Sequence, residues 1–390
     1  MSHRQVANVN DERIPIGSLL GGENPPNGLG IERVRPESVH SLGWESNETA
    51  VAKDFGCALD LARFGRLWIN LDDAAHASRV WHTGEMVRSR IFLCVVSGHG
   101  RLRRCPCMKN TAILLIDCPD QKGIVAAVSD FLYRHEANIL HADQHQDGDL
   151  GLFLTRVEWD LEDFRLSAAE FGKAFTPVAE KFKMRWRFEM SSQRPRVAIF
   201  ASGYDHCLAD LLYRHASGEL ACEVPLIISN HHDAERLAEF HRIPFQFVAV
   251  EEGKAEAERE QLALLKQHSV DLVVLARYMQ ILSPVFVAQY PQRIINVHHS
   301  FLPAFSGARP YHRAFERGVK LIGATSHYVT ETLDEGPIIE QDVVRISHRD
   351  QLEDLIQKGR DLEKVVLSRA VRWHIEHRIL VYAKKTVVFD

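Results

Sequence analysis

The hydrophobic and polar positions after Met108 follow two schemes in succession. In the first, Thr111–Ile116 is an apolar run typical of a buried strand, and Asp117–Gly123 is typical of a loop. From Ile124 the apolar positions recur at helical spacing. Further strand patterns follow at 138–142, 150–157 and 184–188, with a helix pattern at 166–183. The order βαββαβ predicts a ferredoxin-like domain over residues 108–190.

A short polar segment, residues 191–196, separates this pattern from the second scheme. Its sequence SSQRPR contains a proline and little that could be buried, as in a linker between domains. Beyond it, apolar strands alternate with helices, which predicts a doubly wound, Rossmann-like and mostly parallel α/β sheet over residues 197–390. The predicted strands are 196–201, 224–229, 244–250, 271–276 and 293–298, and the predicted helices are 207–215, 234–241, 255–268 and 362–378.

Residues 1–107 follow neither scheme. Their turn residues fall irregularly, yet their composition is not of low complexity. Two explanations stay open: an initiation site assigned too far upstream, or a genuine and poorly ordered extension. We assign these residues no function.

Composition excludes several classes of protein. The chain of 390 residues is 45% hydrophobic and 25% charged, as in ordinary soluble proteins. A net charge of −5 gives no electrostatic reason to expect a nucleic-acid partner, and no apolar run is long enough to span a membrane. The polar amino terminus is unlike a signal or transit peptide, and the seven scattered cysteines fit reduced thiols. We therefore expect a cytoplasmic protein without nucleic-acid or membrane partners.

The candidate chemistry lies near the end of the last predicted strand. Asn296 and His298 are two positions apart, so both side chains project from the same face of the strand. Both can donate hydrogen bonds to a carbonyl oxygen that becomes an oxyanion. Farther on, His327 precedes Asp334, a carboxylate that could act as a general base on water. These residues by themselves indicate a hydrolytic or acyl-transfer site.

The histidines near this strand have two other interpretations. A single histidine near a strand end is more often a surface or hydrogen-bonded residue than a catalytic one. Metal binding is a second alternative, but the histidine spacing matches no zinc signature, so we expect neither a metal nor a cofactor. The histidines concerned are His298, His299, His312 and His327.

Several motifs in the second domain resemble the formyltransferase family. The motifs are N-x-H, then S-F-L-P-x-F-x-G, then T-S-H-Y-V-T-x-x-L-D-x-G-P-I-I. The resemblance implies catalytic roles for Asn296, His298 and Asp334, with His327 matching a further histidine of the signature. The segment RYMQILSP at 277–284 resembles the part of that family that lines the folate. It therefore implies a substrate-binding group of Arg277, Met279, Gln280, Ile281 and Leu282.

The first domain resembles a different family. CPDQKGIVAAVSDFL, followed by the N-I at 138–139, is similar to ACT domains, small regulatory modules that often bind amino acids where two copies meet. The resemblance implies an amino-acid effector near Asp120, Gly123 and Ile124, and a homo-oligomer. From the residues alone, Gly123 either leaves room for a carboxylate at the start of the helix or merely permits the turn.

Taken together, residues 108–390 resemble the formyltetrahydrofolate deformylases. The resemblance implies hydrolysis of 10-formyltetrahydrofolate to formate and tetrahydrofolate, which supplies formate for purine biosynthesis and balances one-carbon folate pools. The alternative is a formyltransferase that acts on an amine such as glycinamide ribonucleotide. Such transferases bind their substrate's phosphate in a loop rich in Gly and Asn, whereas here Asp205 places a negative charge there. This difference favours water as the nucleophile.

A third interpretation is a regulator that binds amino acids and carries an inactive second domain. The intact set of Asn296, His298 and Asp334 argues against it.

Overall fold

The computed structural model describes residues 110–250, 253–304 and 309–389, and the backbone of four short strands between residues 50 and 104. The chain forms two compact units, Met1–Cys107 and Met108–Asp390. In the first unit, two antiparallel pairs of strands are β1 Ala50–Ala52 with β2 Cys57–Leu59 and β3 Cys94–Val96 with β4 Leu102–Arg104. The other expectations for residues 1–107 lie outside the described residues.

The second unit begins with the predicted βαββαβ arrangement, which is confirmed. Its elements are β5 Thr111–Pro119, α1 Ile124–Arg134, β6 Asn138–Asp147, β7 Leu152–Asp160, α2 Ala168–Phe182 and β8 Arg185–Met190. The four strands form one antiparallel sheet in the order β6-β7-β5-β8. Both helices bury their apolar faces in one core, and Ser167 caps α2 in a reciprocal pair with Glu170.

The loop predicted at Asp117–Gly123 starts later than the sequence suggested. Strand β5 continues through Pro119, because residues 117–119 keep their ladder partners on β7. The Asp117 carboxylate accepts a hydrogen bond from Nε of Arg185 on β8 at 2.7 Å. Asp117 is acidic, but its partner on the neighbouring strand lets it stay in the sheet.

A seven-stranded sheet forms the rest of the unit. Its strands are β9 Val197–Ala201, β10 Ile227–Ser229, β11 Phe245–Phe247, β12 Leu272–Ala276, β13 Ile294–His298, β14 Leu321–Tyr328 and β15 Ile338–Arg345. The helices are α3 His206–Ser217, α4 Glu235–His241, α5 Lys254–Gln267, α6 Pro284–Gln289, α7 Pro310–Arg317 and α8 Leu352–Ile375, with a 3₁₀ turn at His232–Ala234. The order is β11-β10-β9-β12-β13-β14-β15, parallel as far as β13 and antiparallel beyond it. The doubly wound prediction is confirmed, and the strand order switches direction between β9 and β12.

Helix α8 differs most from its prediction at 362–378. It begins ten residues earlier, at Leu352, and ends at Ile375. The added turns contain Gly359, a residue that is unfavourable inside a helix. Its role is packing, because a Cβ atom there would lie 2.1 Å from the hydroxyl of Tyr311 on α7.

Several elements were absent from the sequence-based prediction. These are α6, α7, the antiparallel strands β14 and β15, and a hairpin of β16 Ile379–Tyr382 and β17 Lys385–Val388. The hairpin covers the second face of the first sheet, where Leu380 and Phe389 pack against Leu115 and Leu154. No helix in the described part of the chain is both long and apolar enough to cross a membrane.

Candidate active site

A cavity of about 480 Å³ opens beside the carboxyl ends of β12 and β13. This edge of a doubly wound sheet is where ligands bind, because strand ends and loops leave a crevice there. Every residue that the sequence assigned to catalysis or folate binding lines it. They are Arg277, Met279, Gln280, Ile281, Leu282, Asn296, His298, His327 and Asp334.

Two strands and one turn bring the catalytic candidates together. Asn296 lies directly opposite His327 on the antiparallel partner β14, which places a distant part of the chain beside it. Asp334 follows in the turn between β14 and β15, with a left-handed φ of 60°. Gly336 lets this turn close, since a Cβ atom there would meet the carbonyl oxygen of Tyr328 at 1.6 Å.

His298 and Asp334 form the central contact of the site. Nδ1 of His298 lies 3.4 Å from Oδ1 of Asp334, and both side chains are less than 10% exposed. Nε2 of His298 is buried without a hydrogen-bond partner among the described residues. A buried polar atom of this kind is costly unless a ligand or water satisfies it. The imidazole can therefore contact Asp334 on one side and a substrate on the other.

His327 is held in a defined tautomer. Its Nδ1 donates to the carbonyl oxygen of Tyr328 at 2.9 Å, and burial lowers its pKa, so the ring is neutral. Nε2 then accepts from the side-chain amide of Asn296 at 3.2 Å, whereas Asp334 is 3.8 Å away. The geometry thus favours His327 as the partner of Asn296 and not as the residue that orients Asp334.

Asp334 is ionised in this environment. Burial alone would raise the pKa of its carboxyl, but the hydrogen bond and charge of His298, with smaller contributions from His327 and His299, outweigh burial and lower the pKa. A carboxylate placed beside two imidazoles can take a proton from water and pass it on.

The folate-lining segment presents an apolar surface to the cavity. Met279 and Ile281 are 53% and 58% exposed, and Leu333 from the turn before Asp334 is 55% exposed. Exposed apolar side chains grouped in a cavity are typical of a site for a flat aromatic ligand. Leu282 is 8% exposed and belongs mainly to the core.

Sequence reasoning missed a charged group in the same cavity. Glu363 on α8 is 1% exposed, accepts from the hydroxyl of Tyr311 at 2.6 Å, and lies 2.7 Å from Nε2 of His206. Nε of Arg277 lies 3.4 Å from the same carboxylate. One signal was present: Glu363 falls among the apolar positions of its helix, where an acidic residue requires buried partners.

The effector loop of the first domain has the geometry of a helix start. Gly123 precedes α1 with a left-handed φ of 96°, and no side chain caps that end. An added Cβ atom would meet only a ring carbon of Phe182, at 4.0 Å, so the backbone angle and not the space requires glycine. Ile124 is 2% exposed and belongs to the core of the first domain. Asp120 is hydrogen-bonded to Gln146.

The described residues contain one group with the spacing of metal ligands. It is a different group from the four histidines that the sequence offered as metal ligands. His206, Cys207 and Glu363 place their ligating atoms within 4.8 Å of one another. Burial raises the pKa of the Cys207 thiol, and Arg277 and Tyr311 already contact Glu363. A protonated thiol and a shared carboxylate are a poor ligand set.

Comparison with known proteins identifies the families that this chain resembles. A formyl transferase family model matches residues 195–371, and an ACT domain model matches residues 112–166. A formyltetrahydrofolate deformylase of a Synechocystis species is 60% identical over 284 residues, which is 72% of this chain and 100% of that protein. The chain belongs to the formyltetrahydrofolate deformylase family.

Other family members agree with this assignment. The Bacillus subtilis formyltetrahydrofolate deformylase is 53% identical over 279 residues, 71% of this chain and 93% of that protein. The crystal structure of a formyltetrahydrofolate deformylase from Pseudomonas syringae pv. tomato matches with a TM-score of 0.71 and 52% identity, over 72% of this chain and 95% of that one. The family assignment thus rests on both sequence and fold.

Proposed function

We propose that this protein hydrolyses 10-formyltetrahydrofolate to formate and tetrahydrofolate, as the names of its relatives indicate for them. One observation carries the proposal. Asn296, His298 and Asp334 converge in a cavity whose wall displays the exposed side chains of Met279 and Ile281. Oxyanion donors and a general base lie beside an apolar surface that suits a pterin ring.

The reaction follows from these groups. Asp334 takes a proton from water as the water oxygen bonds to the formyl carbon. One N–H of Asn296 is held by His327, which leaves the other to stabilise the oxyanion together with Nε2–H of His298. The tetrahedral intermediate then breaks its bond to the folate nitrogen, which receives a proton from Nε2 of His298. Asp334 returns its proton to the imidazole.

The transferase alternative is less favoured by the residues beside the cavity. The loop between β9 and α3 contains a single glycine, Gly203, and Asp205 stands at the start of α3. A negative charge at a helix amino terminus occupies the position that a phosphate would take. Water requires no such recognition site.

The remaining expectations extend this function. We propose that the ACT domain binds an amino-acid effector, and that the formate released serves purine biosynthesis and the balance of one-carbon folate pools. A homo-oligomer, a cytoplasmic location and the absence of a cofactor stay predictions from the sequence.

The test is incubation of the purified protein with 10-formyltetrahydrofolate, with and without glycinamide ribonucleotide. We expect one formate for each tetrahydrofolate, with no formylated amine, and the same rate after exhaustive chelation of metal ions. Formylation of the ribonucleotide would support the transferase, and activity restored only by a divalent ion would support a metallohydrolase. Absence of any turnover would contradict the proposed function.

A further inference from the structure

The part of the cavity at the point where the strand order switches is lined by Tyr204, Arg277, Arg360 and Glu363. β9 and β12 are parallel neighbours, so the loops that follow them leave the sheet at the same edge. Tyr204 comes from the loop after β9, and Arg277 directly follows β12. The guanidinium of Arg277 lies 5.3 Å from the centre of the Tyr204 ring, and that of Arg360 lies 5.4 Å from it. In this class of sheet a ligand normally occupies that crevice.

A buried carboxylate forms an ion pair with Arg277. The Arg277 side chain is 10% exposed, and its Nε lies 3.4 Å from Glu363, whose own side chain is 1% exposed. Burial alone would raise the pKa of Glu363, but the hydrogen bond from His206 and the charge of Arg277 outweigh burial and lower the pKa. The carboxylate is therefore ionised, and buried ions persist only with partners.

The backbone at Arg277 adopts a strained conformation. Its φ of 60° is left-handed, a conformation that costs a side-chain-bearing residue about 1–2 kcal/mol and that glycine adopts freely. Such strain is kept where the surroundings determine the conformation, and it gathers at functional sites. Of the ten described non-glycine residues with a positive φ, Arg277 is one of three that line the cavity, with Arg309 and Asp334.

The charge of the same guanidinium acts inside the cavity. Arg277 lines the cavity with His298 and Asp334, and after burial its charge is the largest influence that lowers the pKa of His299 to about 3, where it outweighs the opposing charge of Glu363. Arginine is always charged, so this side of the cavity disfavours the protonated amines that predominate at neutral pH. Water is neutral and is not disfavoured by this charge.

We propose that Arg277 is a specificity-determining residue: with Tyr204 and Glu363 it lines the switch-point crevice and restricts the attacking nucleophile to water. The inference deepens the proposed hydrolysis and rests on it. If the crevice is opened, a small amine can attack the formyl carbon. A new C–N bond forms, the bond to the folate nitrogen breaks, the amine loses a proton and the folate nitrogen gains one.

The experiment measures how the formyl group divides between water and an amine. Protein is incubated with 10-formyltetrahydrofolate carrying ¹³C in the formyl group and with millimolar glycinamide, and the ratio of N-formylglycinamide to formate is read by NMR. We expect the parent to yield formate. In Arg277→Gly, which suits the left-handed backbone, we expect the ratio to rise about tenfold. Arg293→Ala, an arginine outside the cavity, is the matched control.

Two further variants keep the test decisive if Arg277→Gly fails to fold. The double variant Arg277→Gly with Glu363→Gln leaves no unpaired buried carboxylate. Tyr204→Ala alters a side chain that is 45% exposed, so it should fold, and loosening Arg277 should raise the ratio severalfold.

The outcomes separate the two proposals. A ratio unchanged from the parent in every folded variant, while formate is still released, overturns the role of Arg277 and leaves the hydrolase intact. A parent that releases no formate overturns the proposed function instead.

Discussion

The aromatic core of the first domain and the wall of the cavity are both buried, but they are stabilised in different ways. The core packs Phe171 against Phe188 and Phe175, with ring centroids 4.2 and 5.5 Å apart. The cavity wall instead buries Glu363 and His327, each held by specific polar partners. Apolar burial stabilises regardless of partner identity, whereas buried polar groups are costly unless satisfied. Substitutions in the core should therefore affect stability first, and substitutions in the wall should affect turnover first.

The largest effect is expected from Asp334→Asn. The amide keeps the shape of the side chain but cannot accept a proton from water, so formate release should fall about 1000-fold or more. Folate binding, measured by calorimetry, should persist. Asp342→Asn on β15, outside the cavity, is the control and should turn over normally. Turnover of the Asp334 variant within tenfold of the parent would remove this carboxylate from the mechanism.

The next largest effect is a loss of stability in Phe171→Ala, a substitution in the aromatic core. Phe171 is fully buried, and its removal should lower the free energy of unfolding by about 3–5 kcal/mol, measured by denaturant titration. Protein that remains folded should hydrolyse substrate at the parent rate. Tyr133→Ala, at a side chain 80% exposed, should change stability by no more than about 0.5 kcal/mol. A stable but inactive Phe171 variant would contradict the division between the two regions.

The pairing of His327 with Asn296 can be measured by a double-mutant cycle. Asn296→Ala should lower the rate about 100- to 1000-fold, because one oxyanion donor is lost. If His327 acts by holding Asn296, His327→Ala alone should lower the rate. In the Asn296→Ala background it should lower the rate little further. Effects that multiply would show that His327 acts on another group, and a cycle with Asp334 would then identify it.

A smaller effect is expected on the pH dependence of stability, through His374 near the carboxyl end of α8. Its Nδ1 lies 2.7 Å from the hydroxyl of Tyr328, and burial lowers its pKa to about 3. In the unfolded chain the pKa is about 6.5, so between these values the unfolded state binds the extra proton and stability falls as pH falls. His374→Asn should make this decline shallower, by up to about 1 kcal/mol per pH unit. An unchanged slope in denaturant titrations would contradict this.

The smallest effect concerns the effector loop. A free amino acid should change the rate of the parent severalfold, and Gly123→Val should weaken this response without altering the basal rate. Valine disfavours the left-handed φ of 96° that starts α1. The measurement is a rate screen of the twenty amino acids, followed by calorimetry on any that act. If none binds, the first domain is better interpreted as an assembly surface.

Local pattern was enough to predict much of this protein. Helical spacing predicted α1, which begins at Ile124 as expected, and the βαββαβ order was correct. Asn296 and His298 could be paired from the sequence, because residues two apart on a strand share a face wherever that strand lies, whereas the roles of His327 and Asp334 were implied by the resemblance to the formyltransferase family. All four line one cavity.

What only the tertiary structure decided is which distant residues meet. Glu363 and Arg277 are 86 positions apart, and neither carries a local signal that it will pair with the other. Gly359 is required by the packing of Tyr311 from another helix, which no local pattern around Gly359 could show. Sequence periodicity fixes which face of an element is apolar, since that depends on neighbours three or four positions away. The partners of a buried charge depend on strand order and helix packing, which involve the whole chain at once.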